Sequence, residues 1–168
     1  MGKDYEVVRR EAQELYASFG KVNCPAFGNE PVYFTSEGFN HLVYKTPKKP
    51  RDQRVQIMKF ELLNKAKLIV ETSTTFQEYE EEFKYVNLKK HRRHTRENVL
   101  VRSWGLIAIV KKFRIKVVIR QVGNGKKEFY SVIPAWFTKQ YRNIKIIETA
   151  VGGGLLSEDD EETLKNAT

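Results

Sequence analysis

A single cysteine, Cys24, is all the thiol chemistry that the 168 residues offer. That excludes an intramolecular disulfide framework and any zinc site built from several thiolates. Long apolar runs are absent as well. The longest, Trp104 to Val110, falls well short of the roughly 18 residues that span a bilayer. The opening Met-Gly-Lys-Asp-Tyr-Glu lacks the apolar segment of a secretory signal, so the expectation is a cytoplasmic protein with no membrane partner. No phosphate-cradling glycine loop occurs, because Gly123-Asn124-Gly125 is not followed by a helix. Neither paired carboxylates nor a cluster of metal ligands stands out, so no cofactor and no metal are expected.

What is present is apolar surface and positive charge. Hydrophobic residues make up 40% and aromatics 12%, too much for a wholly disordered chain and enough for one domain with a substantial core. The 30 Lys and Arg outnumber the 21 Asp and Glu, for a net charge of +9. The excess is uneven. Residues 151–168 hold five acids, Glu158 to Glu162, and one base, Lys165, a net of −4 that leaves +13 on residues 1–150. Such a surplus points to a polyanionic partner, nucleic acid first. Residues 1–150 read as one domain, and 151–168, opened by Gly152-Gly153-Gly154, as an acidic, disordered tail.

Val7, Val8, Leu15 and Phe19 predict an amphipathic helix from Asp4 to about Phe19, closed by Gly20. Pro25, Gly28 and Pro31 make residues 21–34 an ordered loop. Thr35 and Ser36 can N-cap a short helix through Val43 or Tyr44, stopped by Pro47. From Pro50 onward, Val55, Met58, Leu62, Ala66 and Ile69 recur at helical spacing and predict one helix, ended by Thr72 to Thr75. The period then becomes that of strands, at Glu82 to Leu88, Val99 to Val110, Phe113 to Val122, Phe129 to Ile133 and an edge strand from Ile144 to Glu148. Lys89 to Arg96 reads as a basic loop and Asn124-Gly125 as a two-residue hairpin loop. The class is α+β, with N-terminal helices packed on one face of a four- or five-stranded antiparallel sheet.

That hairpin predicts a register. Arg120 faces Phe129 and Val118 faces Ser131, so Arg114, Lys116, Val118 and Arg120 share a face with Phe129, Ser131 and Ile133. Phe113, Ile115, Val117 and Ile119 share the other with Tyr130 and Val132, the face the helices cover. Ser131 lies diagonal to Arg120 and Lys116, about 7–8 Å away, near enough for long side chains to meet at one phosphate. A solvated sheet face with ordinary charges is the plain alternative.

Three histidines are available for proton transfer. His91 and His94 have no acidic or thiol neighbour and read as contacts to backbone phosphate. His41 sits in a short helix among aromatics, where an imidazole is more often structural than catalytic, although it titrates near neutrality. Metal-free cleavage of nucleic acid would recruit the neighbouring 2′-hydroxyl as nucleophile, which restricts the substrate to RNA.

Two stretches carry a family likeness. Val32-Tyr33-Phe34-Thr35-Ser36-Glu37-Gly38-Phe39-Asn40-His41-Leu42 resembles the N-terminal His segment of phage and conjugative-element nucleases of the barnase–EndoU–colicin–RelE superfamily. Val118-Ile119-Arg120 with Phe129-Tyr130-Ser131-Val132-Ile133-Pro134 resembles their last hairpin, whose return strand ends in a Ser or Thr near a Pro. The resemblance, over residues 30–137, implies a metal-independent endoribonuclease. It implies a toxin or effector of a mobile element, acting on structured RNA such as tRNA and paired with an immunity or antitoxin protein. Carried over by position, His41 becomes the general acid or base, Arg120 the phosphate clamp and Ser131 the phosphate-orienting hydroxyl. Lys45, four residues past His41, is a further candidate. RNA binding would fall to Lys116, Arg102, Lys89, Lys90, His91, Arg92, Arg93, His94 and Arg96. A second reading keeps the basic surface and drops the chemistry, leaving a non-catalytic nucleic-acid-binding accessory protein with the same fold.

Overall fold

The first helix, α1 (Tyr5–Phe19), follows its apolar pattern and ends at Gly20, whose φ of 59° suits a residue without a Cβ. It buries Ala12, Tyr16 and Phe19. In this computed structural model, which describes residues 2–110 and 113–134, Tyr16 is the hub that joins α1 to the rest. Its ring meets Phe19, Phe34, Phe39 and Phe129 at centroid distances of 6.2, 5.7, 5.5 and 5.8 Å. Its hydroxyl donates to the Thr35 carbonyl at 2.7 Å, and burial pushes that hydroxyl above its ordinary titration range. The edge strand expected at 144–148 and the acidic tail lie outside the described residues.

Residues 21–34 are not a loop. Two short strands, β1 (Lys21–Cys24) and β2 (Glu30–Tyr33), flank a turn of 3-10 helix at Pro25–Phe27. Val22, Cys24 and Val32 are buried. Four-residue strands offer too few alternations to stand out beside Pro25, Gly28 and Pro31. Next come α2 (Ser36–Val43), a small hairpin of β3 (Tyr44–Thr46) and β4 (Lys49–Pro50), then α3 (Gln53–Glu61) and α4 (Leu63–Thr72). Pro50 therefore belongs to β4, and Asp52 caps α3 by accepting from the Arg54 N–H at 2.9 Å. The single helix expected after Pro50 is broken at Leu62, whose N–H makes a tight bond to the Lys59 carbonyl at 3.2 Å.

The strands β5 (Glu78–Lys90), β6 (Arg93–Val110), β7 (Phe113–Val122) and β8 (Lys127–Pro134) complete a six-stranded sheet in the order β1-β2-β8-β7-β6-β5. The class is α+β, as expected. The sheet is larger than expected and mixed, because β2 runs parallel to β8. The break at Leu62 serves this architecture: α3 lies against α1 and α2, whereas α4 crosses β1, β6 and β7.

The basic stretch 89–96 also departs from expectation. It is the end of a hairpin with only His91 and Arg92 in the turn, at φ 49° and 65°. Pairing of β6 with β7 begins at Val101 opposite Val122, so residues 83–100 extend past β7 as a two-stranded arm.

Between β7 and β8, Val118 does oppose Ser131, but Ile119 opposes Phe129 and Arg120 opposes Glu128. Tyr130 is the extra residue, a β-bulge. The connecting turn places Gly123 at φ 55°, with the Gly125 N–H on the Val122 carbonyl at 3.0 Å, instead of turning on Asn124-Gly125. The shift sends Phe129 into the core beside Ile119, where the expected register put Tyr130.

β2 bonds to β8 only at Lys127 and Glu128, so the rest of that edge needs another cover. α2 supplies part of it. A Cβ on Gly38 would lie 2.6 Å from the Phe129 carbonyl and closer still to the Tyr16 hydroxyl. Gly38→Ala should therefore lower the unfolding free energy by about 2–3 kcal/mol in chemical denaturation. An unchanged midpoint would contradict this docking.

Candidate active site

Phe39, Leu42 and Val43 turn one side of α2 to the core, which leaves Glu37, Asn40 and His41 on the other. His41 rests against the bulged Tyr130, with ring centroids 4.2 Å apart. The Arg120 guanidinium lies 5.0 Å from the centroid of the same ring. One aromatic side chain thus gathers an imidazole from a helix and a guanidinium from a strand.

Glu128 joins them because the bulge sets it opposite Arg120. Thr35, Glu37, His41, Arg120, Glu128 and Tyr130 line one cleft of about 280 Å³, and Val86, Asn87 and Leu88 from the arm also line it. Burial, and then the negative charge of Glu37, push the Glu128 carboxyl above its ordinary value, while Lys126 and Arg120 pull it back. The cleft therefore holds three groups able to carry a proton, Glu37, His41 and Glu128, and one guanidinium, a combination suited to acid–base chemistry on a charged substrate.

The other expected site residues are dispersed. Lys45 opens on a second cleft of about 470 Å³, with His41 and Glu37 bordering both. Ser131 is fully buried, its Oγ 3.2 Å from the Lys59 ammonium, which also donates to the Val132 carbonyl at 3.0 Å. A hydroxyl enclosed in this way cannot meet a phosphate, so Ser131 leaves the site. Lys116 is likewise fully buried and stands 2.9 Å from the Glu78 carboxylate. Its charge is matched inside the protein and is not offered to RNA. Arg102 opposes Glu81, 3.9 Å away, and its neighbour Ser103 opposes Arg120. By strand parity Arg102 projects from the opposite face to Arg120. Lys89, His91, Arg92, Arg93, His94 and Arg96 are exposed along the arm, and Lys90 pairs with Arg93 in its ladder.

Glu37, Glu128 and Tyr130 are the cleft residues that the sequence reading missed. Glu37 lies one helical turn before His41, a spacing that could have flagged it. Glu128 had no such signal, because a two-residue loop would set it opposite Gln121 and away from Arg120.

No group of three His, Cys, Asp or Glu side chains suited to hold a metal ion occurs among the described residues, and none of their helices is long and apolar enough to cross a membrane. No family model, curated protein or solved structure matches the chain. The cleft must be read from its own chemistry.

A raised carboxyl pKa has a definite sign. The folded state holds the Glu128 proton more tightly than the unfolded state, so ionisation weakens the fold as pH rises through and above the ordinary Glu value of about 4.3. Glu128→Gln should be more stable than wild type at neutral pH, with the gap closing below about pH 4. Thermal melts across a pH series test this; a gap that is independent of pH would contradict it.

Proposed function

We propose that the protein is a metal-independent endoribonuclease acting on structured RNA, with tRNA as a candidate substrate. The observation that carries this reading is the gathering of His41, Glu128 and Arg120 on one cleft beside a basic arm. Glu128, made more basic by its surroundings, accepts the proton of the 2′-hydroxyl as that oxygen attacks phosphorus. His41 in its charged form donates a proton to the departing 5′-oxygen. The new P–O2′ bond replaces the P–O5′ bond, leaving a 2′,3′-cyclic phosphate and a free 5′-hydroxyl. Arg120 offsets the charge that grows on the non-bridging oxygens. Lys45, on the second cleft, would contact RNA that continues past His41.

The resemblance of residues 32–42 and 118–134 to nucleases of phages and conjugative elements adds context to this proposal. On that basis the protein is a cytoplasmic toxin or effector of a mobile element, held in check by an immunity or antitoxin protein. The departure from the likeness is Ser131, whose buried bond to Lys59 leaves Glu128 to supply the second polar group.

Incubation with total RNA in EDTA tests the chemistry. Wild type should cut, and His41→Ala or Glu128→Gln should slow cleavage about 10²- to 10⁴-fold. Arg120→Ala should slow it about 10²- to 10³-fold. Cleavage undiminished in His41→Ala would overturn the proposal. A salt-dependent gel shift with no product would favour the non-catalytic binding protein.

A further inference from the structure

The arm presents a second feature, on the face turned away from the cleft. Val86, Asn87 and Leu88 all border the cleft, but only Val86 and Leu88 are half-buried, whereas Phe83, Tyr85, Asn87 and Lys89, of the other strand parity, are exposed on the opposite face of β5. Phe83 is 71% exposed and Tyr85 67%, the two most exposed large apolar side chains among the described residues except for Ile109, also at 67%. They stand about 7 Å apart along the strand. Across the ladder Leu100 opposes Phe83, Asn98 opposes Tyr85, Arg96 opposes Asn87 and His94 opposes Lys89, all on this outer face. The Arg96 guanidinium lies 5.6 Å from the centre of the Tyr85 ring.

Rings this exposed add little to folding, and on an edge strand they invite unwanted pairing. Charge decides what they fit. Residues 83–100 carry six Lys and Arg against one Glu. A second copy of the arm would bring like charge onto like charge. A polyanion with flat apolar faces matches both properties, and only unpaired bases expose those faces. The turn supports the same view. His91 and Arg92 hold left-handed backbone that Asn-Gly would adopt at lower cost, and in doing so they add an imidazole and a guanidinium to the tip.

We infer that the outer face of the arm, Phe83 and Tyr85 with Arg96 and Lys89, is a stacking platform for single-stranded nucleic acid. It shares a ligand class with the proposed function but does not depend on cleavage. A strand held on this face would have its phosphates beside Lys89 and Arg96.

Fluorescence anisotropy of the full chain with a short labelled oligothymidylate tests the inference, with the RNA counterpart and a duplex as comparisons. The DNA strand lacks a 2′-hydroxyl, so binding is read whether or not the cleft cuts RNA. Phe83→Ala with Tyr85→Ala should weaken binding about 10- to 100-fold, while Phe83→Tyr with Tyr85→Phe should stay within about two-fold of wild type. The salt slope should be unchanged in both, since no charge is removed. Tyr85→Leu keeps the apolar bulk without the π face and should still lose several-fold at an unchanged melting temperature. Wild-type affinity in the double alanine variant would overturn the inference. So would equal affinity for the duplex, or loss of self-association as the only effect of removing the rings.

Discussion

One extra residue in β8 sets the geometry on which the candidate site depends. Without the bulge at Tyr130, Phe129 would lie beside Arg120 and Glu128 would oppose Gln121, pointing from the other face. The bulge reverses both. Phe129 enters the core, where it stacks on Phe34 at 5.1 Å and meets the ring of Tyr16. Glu128 comes opposite Arg120, and Tyr130 is freed to support His41. Core packing and cleft chemistry are thus fixed by one register shift. The second requirement is a close approach of α2 to that strand, which the missing Cβ of Gly38 permits.

The net charge of +9 divides into two kinds of cation. Lys59 and Lys116 are inside, one donating to the Val132 carbonyl and the other beside Glu78. Buried charges persist only where such partners offset the loss of hydration, and removing one partner typically costs about 3–5 kcal/mol. These two hold strands and helices together. Lys89, Arg92, Arg93 and Arg96 are exposed on the arm, where they act on what approaches from solvent. Counting charges along the chain does not separate these roles; burial does.

Much of the fold was legible because local signals were strong. Gly20 ends α1 in a backbone conformation that glycine favours, Thr35 caps α2, and the apolar alternation of Ile115, Val117 and Ile119 marks the core face of β7. Features settled by partners distant in sequence were not legible. β1 and β2 are too short to declare a period, and the apolar stripe runs unbroken across Leu62, where the helix divides because its halves meet different neighbours. Within the site, His41 and Arg120 were found and do line the same cleft, whereas Ser131 and Lys116 lay on the expected face but are enclosed. Strand parity gives direction, not exposure. Glu128 was hidden by the bulge, which no turn signal announced.

Cleavage at this site requires RNA to enter the cleft beside Tyr130. An NMR titration of the labelled protein with a short 2′-deoxy oligonucleotide, which can occupy the cleft but not react, tests this directly. Signals of His41, Tyr130, Arg120 and Glu128 should shift together and saturate at one affinity, with the His41 imidazole resonances moving most. Shifts confined to the arm, with the cleft signals unmoved, would contradict an active site there.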